Sequence, residues 1–236
     1  MLGPDRAGRL DVLRTSHLFS GMKVDDLEAL LSVAHERKVH RGTLVFQKGD
    51  TGSSMMAVLS GRIRIGSTSR DGKQLTLAVI DGGNVFGELA LLDGKPRSAD
   101  ATALEDSILL EIARPAFLQL LKNDPSLLAS LIALLCDRVR GASAALEDLS
   151  LLDLQTRLAR VLVKLGIDYG RRTPNGVRIE LRLSQTDLGT LVTASRESVN
   201  RQLQAWREAG ILGSEGGLHV IRRSAQLAAF ADPSSV

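Results

Sequence analysis

The sequence predicts an α+β fold in which an antiparallel β-barrel, a long helix and a winged helix-turn-helix unit follow one another along the chain. Three observations predict it. Short β-branched or alternating runs between glycine turns fill residues 36–113. Apolar residues then recur every three or four positions through residues 125–152. Two helices with polar starts, joined by a short turn, occupy residues 184–212.

The N-terminal residues 5–34 have the spacing of two helices. Asp25 and Asp26 stand at the start of the second, where the helix dipole favours anions. From residue 36 the period changes to that of strands. The breaks between strands are Gly49-Asp50, Gly61, Asp71-Gly72 and Gly82-Gly83. Many short strands with glycine turns indicate an antiparallel sandwich or barrel.

Residues 86–103, FGELALLDGKPRSADATA, differ from a loop that only connects strands. They place a bare backbone at Gly87, an acceptor at Glu88 and a cation at Arg97 in close order between two apolar runs. This combination predicts an anion site.

A long helix is predicted from Pro125, which suits a first helical turn, to about Leu152. Its seam of apolar residues has heptad spacing and consists of Ile132, Leu135, Val139, Ala142, Leu146 and Leu149. The helix could pack on its own barrel, but a parallel coiled coil in a twofold dimer is favoured because the seam runs through most of its length. Asp153 interrupts the seam, and the new helix LQTRLARVLVKLG and a loop, DYGRRTPNGV, follow. The predicted domains are 1–124, 125–152 and 153–236.

The C-terminal motif begins with Ser184 and Asp187 at capping-box spacing, and Ser195 caps its second helix. On that helix Val199, Leu203 and Trp206 share the core face, and Glu197, Asn200, Arg201 and Gln204 point the other way, with Arg196 at the exposed start. Such a face suits the donor and acceptor edges of the DNA major groove, although a solvated amphipathic helix would show it too. The hairpin-like GILGSEGGLHVIR that follows favours a winged helix-turn-helix.

Composition excludes several function classes. Residues 153–236 hold 12 Lys and Arg against 8 Asp and Glu, whereas residues 1–152 hold 18 against 19, so the basic excess is C-terminal and agrees with a nucleic-acid partner. The single cysteine, Cys136, excludes an internal disulfide framework and a cysteine-ligated iron-sulfur cluster within one chain, and is interpreted as a small buried helix residue. The four histidines lack metal-ligand spacing, so no metal is predicted. Without an apolar run of membrane length or a cleavable leader, a cytoplasmic protein is expected.

From about residue 10 to residue 223 the sequence resembles the cyclic-AMP receptor protein (CRP)/FNR family of bacterial transcription regulators. FGELALLDGKPRSA is similar to the family's phosphate-binding cassette, and LSQTDLGTLVTASRESVNRQL to its helix-turn-helix. The resemblance implies a jelly-roll-like barrel that binds a cyclic nucleotide, cAMP or cGMP, as allosteric ligand, with no other cofactor. It also implies a homodimer through the long helix, and double-stranded DNA and RNA polymerase as partners.

The resemblance implies roles for individual residues. The ligand-binding set is Gly87, Glu88, Leu89, Arg97, Ser98, Ala142 and Ser143. Glu88 accepts from the ribose 2′-hydroxyl, Arg97 and Ser98 hold the phosphate, and Gly87 lets it approach backbone N–H groups. The DNA-binding set is Ser184 and Thr186 at phosphates, and Arg196, Glu197, Asn200 and Arg201 on the recognition helix.

One position departs from the family pattern. The best-known members carry a threonine-serine pair that meets the adenine, whereas this sequence has Ala142-Ser143. A family regulator that senses another ligand, or is always active, is the alternative. A nucleotide-acting enzyme is disfavoured because no GxxxxGK[ST] loop, metal cluster or Ser/His/Asp set accompanies the cassette, so no catalytic residue is predicted. The sequence leaves open cAMP against cGMP, and activation against repression.

Overall fold

A computed structural model describes residues 6–69, 71 and 74–232 of the chain. By their contacts the residues form two compact units, residues 1–141 and 142–236, and the division falls within one long helix. Each unit has its own hydrophobic core. Residue 5, the predicted start of the first helix, and Gly72 of the predicted Asp71-Gly72 turn lie outside the described residues.

The first unit is built on two four-stranded antiparallel sheets. One sheet has the order β1 (His35–Val39), β8 (Ser107–Ala113), β3 (Ser54–Ser60) and β6 (Val85–Phe86). The other has the order β2 (Leu44–Phe46), β7 (Asp100–Ala103), β4 (Ile63–Thr68) and β5 (Gln74–Ile80). The predicted antiparallel sandwich is confirmed.

Helices flank these sheets. They are α1 (Arg6–Arg14), α2 (Val24–Val33), the short α3 (Glu88–Asp93), α4 (Arg114–Asn123) and the start of α5 (Ser126–Leu151). Pro115 lies in the first turn of α4, where its missing N–H costs nothing. α5 buries only Leu127 and Leu131, both near its start. Leu134, further along the helix, is partly buried against the same core.

Cys136 is exposed on α5, so its interpretation as a buried residue is wrong. A helix residue is buried only if another element covers its face. Because α5 meets the first core through Leu127, Leu131 and Leu134, and Cys136 is not among these residues, its apolar character does not decide its burial.

The second unit starts with α6 (Leu154–Asp168), capped by the Asp153 carboxylate, which accepts from the Thr156 amide. A four-stranded sheet has the order β11 (Leu212–Glu215), β12 (Leu218–Ile221), β10 (Gly176–Ile179) and β9 (Gly170–Thr173). Its remaining helices are α7 (Gln185–Val192), α8 (Arg196–Glu208) and α9 (Ser224–Ala231).

The stretch DYGRRTPNGV, predicted as a loop, contains strand β9 and the start of β10 and forms a hairpin. The cause lies elsewhere in the chain, because β10 also pairs with β12. The paired residues Val177 and Ile221 are 44 residues apart in the sequence. At the hairpin turn Gly176 has a φ of 127°, and a Cβ there would lie 2.2 Å from the carbonyl oxygen of Ile221. Only glycine allows the two strands to approach at this point.

Candidate functional site

A tight turn at Gly87 joins β6 to α3 and lies against Arg97. Gly87 has a φ of 79°, in the left-handed region that favours glycine. A Cβ at this position would lie 2.6 Å from Nη1 of Arg97. Both the conformation and the available space therefore require a residue without a side chain.

Arg97 is held inside the first unit with only 6% of its surface exposed. Its Nη1 donates to the carbonyl oxygens of Ser54 at 2.7 Å and Gly87 at 2.8 Å, and its guanidinium carbon lies 4.2 Å above the centre of the Phe46 ring. Burial lowers the pKa of Arg97, while the charges of Glu111, Asp50 and Glu88 raise it. Arginine remains charged in such surroundings, so a fixed cation lies beside the Gly87 turn.

Glu88, the first residue of α3, is a buried carboxylate with 2% of its surface exposed. Its Oε1 lies 3.2 Å from Nε of Arg138 on α5. The same arginine donates from Nη2 to the carbonyl oxygen of Val85 at 2.6 Å. A buried carboxylate needs a partner, and here a residue of the long helix supplies it.

The cluster offers groups of both kinds, a donor for an anion and an acceptor for a hydroxyl. The Nε of Arg97 is buried and has no hydrogen-bond partner among the described residues, so it can donate to one more acceptor. The guanidinium of Arg97 lies directly against the bare turn at Gly87, and Glu88, the next residue, offers carboxylate oxygens to a hydroxyl. A free hydrogen-bond donor and a cation, both on Arg97, therefore lie close to the carboxylate acceptor of Glu88.

The remaining predicted ligand residues are placed differently. Leu89 and Ser98 follow Glu88 and Arg97 in the chain and are exposed. Ala142 and Ser143 lie on α5, within the second unit, and are also exposed. The structure therefore brings Gly87, Glu88 and Arg97 together by their contacts.

The second unit contains the predicted pair of capped helices. The Ser184 hydroxyl accepts from the Asp187 amide and the Asp187 carboxylate accepts from the Ser184 amide, which completes a capping box at the start of α7. Thr193 ends α7 in the left-handed conformation, with a φ of 53°. A Cβ on Gly189 would lie 2.8 Å from the carbonyl oxygen of Ala194, so glycine permits the close turn into α8.

α8 has one buried and one open face. Val199, Leu203 and Trp206 are buried in the core of the second unit. Arg196, Glu197 and Arg201 are exposed. Hydrogen bonds at the helix start, from the backbone amide of Glu197 and from Ser195, together with nearby Arg196, lower the pKa of the Glu197 carboxyl. The exposed groups at the start of α8 are therefore charged at neutral pH.

Asn200 differs from these three residues. It is half-buried, and its Oδ1 accepts from Nε2 of Gln185 at 2.8 Å. The asparagine therefore links α8 to α7. The sequence predicts it as a DNA-binding residue, whereas in the structure its side chain holds two helices together.

Comparisons with known proteins agree with both parts of this geometry. Residues 36–124 match the cyclic nucleotide-binding domain, and residues 156–230 match the Crp-like helix-turn-helix domain. The cyclic AMP receptor protein of Thermus thermophilus is 34% identical over 215 residues, which cover 91% of this chain and 96% of that protein. The chain belongs to the CRP/FNR family of transcription regulators.

Two further CRP/FNR relatives show how far the likeness extends. The CRP-like cAMP-activated global transcriptional regulator of Mycobacterium tuberculosis is 28% identical over 92% of this chain and 97% of that protein. The solved structure of the c-di-GMP responsive global regulator CLP of Xanthomonas campestris has a TM-score of 0.75 at 26% identity, covering 84% of this chain and 99% of that one. As a CRP/FNR member the chain is a DNA-binding transcription regulator with a cyclic nucleotide-binding domain, and not an enzyme.

Arg138 is a site residue of this CRP/FNR chain that the sequence reasoning missed. It lies between Leu135 and Val139 of the heptad seam, and its neighbours in the chain form no motif. Its contacts with Glu88 and Val85 join segments about 50 residues apart. The only signal was a cation next to the seam of a long helix, which by itself predicts nothing.

The apolar seam of α5 is largely exposed in the single chain. Val139 and Leu146 have 65% and 66% of their surfaces exposed, and Ile132 has 54%. Leu149 is exposed at 39% and Leu135 is half-buried. Apolar surface exposed in this way is often an interaction surface.

Two other features of the described residues bear on the predictions. No helix in the described part is both long and apolar enough to cross a membrane. In residues 6–69, 71 and 74–232 no three His, Cys, Asp or Glu side chains are grouped in a way that could hold a metal ion.

Proposed function

We propose that this CRP/FNR regulator is a homodimer that binds palindromic TGTGA-like DNA when a cyclic nucleotide, cAMP or cGMP, occupies the first unit. The observation that carries the proposal is the cluster of Gly87, Glu88 and Arg97, with its buried arginine N–H unused by the described residues. Arg97 and Ser98 hold the phosphate, together with backbone N–H groups at Gly87 and Leu89. Glu88 accepts from the ribose 2′-hydroxyl.

The contact between Glu88 and Arg138 supports a route for the allosteric signal. A ribose hydroxyl that bonds Glu88 changes the electrostatic partner of Arg138, and Arg138 belongs to the long helix. The nucleotide then favours one arrangement of α5 over another. Because coupling is reciprocal, DNA must tighten nucleotide binding by the same factor.

On the DNA side, the two recognition helices of a dimer read two half-sites about one helical turn apart. Arg196, Glu197 and Arg201 read bases, and Ser184 and Thr186 contact phosphates. Asn200, whose side chain accepts a hydrogen bond from Gln185, completes the DNA-binding set. RNA polymerase is the further partner that we propose for activation.

A regulator with a different ligand is the second candidate. The Xanthomonas campestris relative is described as c-di-GMP responsive, and a Bacillus subtilis relative, 30% identical over 84% of this chain, is an anaerobic regulatory protein. The replacement of the family's threonine by Ala142 favours this candidate over strict cAMP control. Titration of the purified protein with cAMP, cGMP and c-di-GMP, followed by binding to a palindromic duplex, tests both. A response to c-di-GMP alone, or to none of the three, would remove the cyclic-mononucleotide proposal.

Replacing Arg196 by alanine is expected to cost about 1–3 kcal/mol at the preferred site and to relax the preference at one guanine, because arginine pairs with guanine O6 and N7. Selection from a random duplex library measures the effect. Thr186→Ala is the matched control and should weaken all sequences alike. Ser184 is unsuitable as a control because its hydroxyl caps α7 and its loss would destabilise the helix. Asymmetric, unrelated selected sites for the parent protein would remove the palindrome from the proposal.

Ala142→Thr is expected to raise selectivity for cAMP over cGMP. A neutral hydrogen bond is worth about 0.5–1.5 kcal/mol, so the parent protein should discriminate less than relatives with threonine by roughly two- to twelvefold. Calorimetry with both nucleotides measures the ratio, and Ser143→Ala is the companion variant. A parent preference for cAMP above about a hundredfold, equivalent to ~2.7 kcal/mol, would show that another group reads the base.

A further inference from the structure

A basic cleft opens beside the start of α7 in the second unit. It has a volume of about 400 Å³ and is lined by Leu183, Ser184, Gln185, Thr186, Arg196, Arg207, Gly217 and His219. These residues come from the start of α7, both ends of α8, and the β11–β12 wing. None of the lining residues is acidic, and two are arginines.

Of the two arginines in the cleft, Arg196 belongs to the predicted DNA-binding set and Arg207 does not. Arg207 lies in the last turn of α8, is half-buried, and has no ion-pair partner in the described part of the chain. Its Nε is buried and lacks a hydrogen-bond acceptor among the described residues. An arginine placed in this way without a carboxylate has donors available for an anion.

His219 forms part of the cleft wall and is 9% exposed. Burial and the charge of Arg207 lower its pKa, while the backbone of Leu183 raises it. His219 on β12 of the wing and Leu183 and Ser184 at the start of α7 thus line the same cleft as Arg207.

We propose that this cleft seats a backbone phosphate of the bound DNA, held by Arg207 together with the Ser184 and Thr186 end of α7. The proposal rests on the proposed function and adds Arg207 to the DNA interface. Arg196 lines the cleft and also starts the exposed reading face of α8, so the cleft is continuous with the base-reading surface. A DNA strand leaving that surface places its phosphates at the cleft, and the N-terminal dipole of α7 adds to the attraction.

The test compares Arg207→Gln with the parent full-length protein on a random-sequence duplex and on a selected palindromic site across a salt series. Each phosphate contact contributes about 0.9 to the slope of log affinity against log salt. The slope of Arg207→Gln should therefore fall by about one for each DNA-binding unit engaged. The ratio of parent to variant affinity should shrink about 3.5-fold per engaged unit between 50 and 200 mM salt. Lys164→Gln, which removes one positive charge from α6 outside the cleft, should leave the slope unchanged.

Two outcomes would overturn the proposal. One is an Arg207→Gln variant with the parent's salt slope on both duplexes. The other concerns inorganic phosphate, which would raise the unfolding temperature of the parent but not of Arg207→Gln while the two salt slopes agree. The cleft would then hold a small anion and not a DNA phosphate. The proposed function is judged separately, because Arg207→Gln should keep its sequence preference and its factor of nucleotide stimulation.

Discussion

Arg97→Gln is expected to abolish the stimulation of DNA binding by cyclic nucleotide. The parent arginine is a buried planar cation, and glutamine retains a donor but loses the charge and the fork. Two charge-assisted hydrogen bonds to phosphate are worth roughly 3–6 kcal/mol together, so nucleotide affinity should fall by about 10² to 10⁴. Calorimetry with cAMP and cGMP measures the affinity, and fluorescence anisotropy of labelled duplex measures the response.

The controls for this substitution address folding and charge. Nη1 of Arg97 also donates to the carbonyl oxygens of Ser54 and Gly87. The unfolding temperature of Arg97→Gln and its affinity for random DNA must therefore be measured as well. Arg97→Lys keeps the charge without the fork and should recover part of the affinity. Arg41→Gln removes an exposed arginine of the same unit and should respond like the parent. A normal response of Arg97→Gln to micromolar nucleotide would show that the cassette assignment is wrong.

The parts that the sequence predicted correctly are those whose cause is local. Ser195 caps α8, as predicted, by accepting from the amide of Ser198 three residues on. Ser184 and Asp187 cap α7 by contacts three residues apart. Such features appear in a short stretch of sequence as particular residue types at fixed spacing, so the sequence alone is enough to predict them.

The parts that were missed depend on residues far apart in the chain. The partner of Glu88 is Arg138, 50 residues away, and the hairpin predicted as a loop is ordered by pairing with β12. Asn200 points towards the reading face by helical period, yet Gln185 holds its side chain. No local pattern distinguishes these uses, because the contact partner arrives only when the chain folds.

Placing a glutamate at both Val139 and Leu146 is expected to dissociate the proposed dimer. These residues are the most exposed large apolar side chains of the seam in the single chain, at 65% and 66%, and they lie one heptad apart on α5. Burying a valine or leucine is worth roughly 1.5–3 kcal/mol, so four lost side chains across a twofold interface weaken it by roughly 6 kcal/mol or more. That corresponds to a rise in the dimer Kd of about 10⁴ or more, before repulsion between the new charges is counted.

Analytical ultracentrifugation over a concentration series measures that shift, and anisotropy on a palindromic duplex measures its consequence. A monomer can engage only one half-site at a time, so affinity for the palindrome should fall towards that for a single half-site, while nucleotide contacts of Arg97 and Glu88 within one chain remain. Leu77→Glu is the matched control, because Leu77 is a comparably exposed apolar residue, at 60%, on strand β5 and outside the seam. If the double variant sediments as the parent does, the seam does not join two chains. If the double variant and Leu77→Glu unfold at the same lowered temperature, the weaker association reflects a lower stability of the folded chain. The seam assignment then fails as well, because an exposed seam should tolerate charge within a folded monomer.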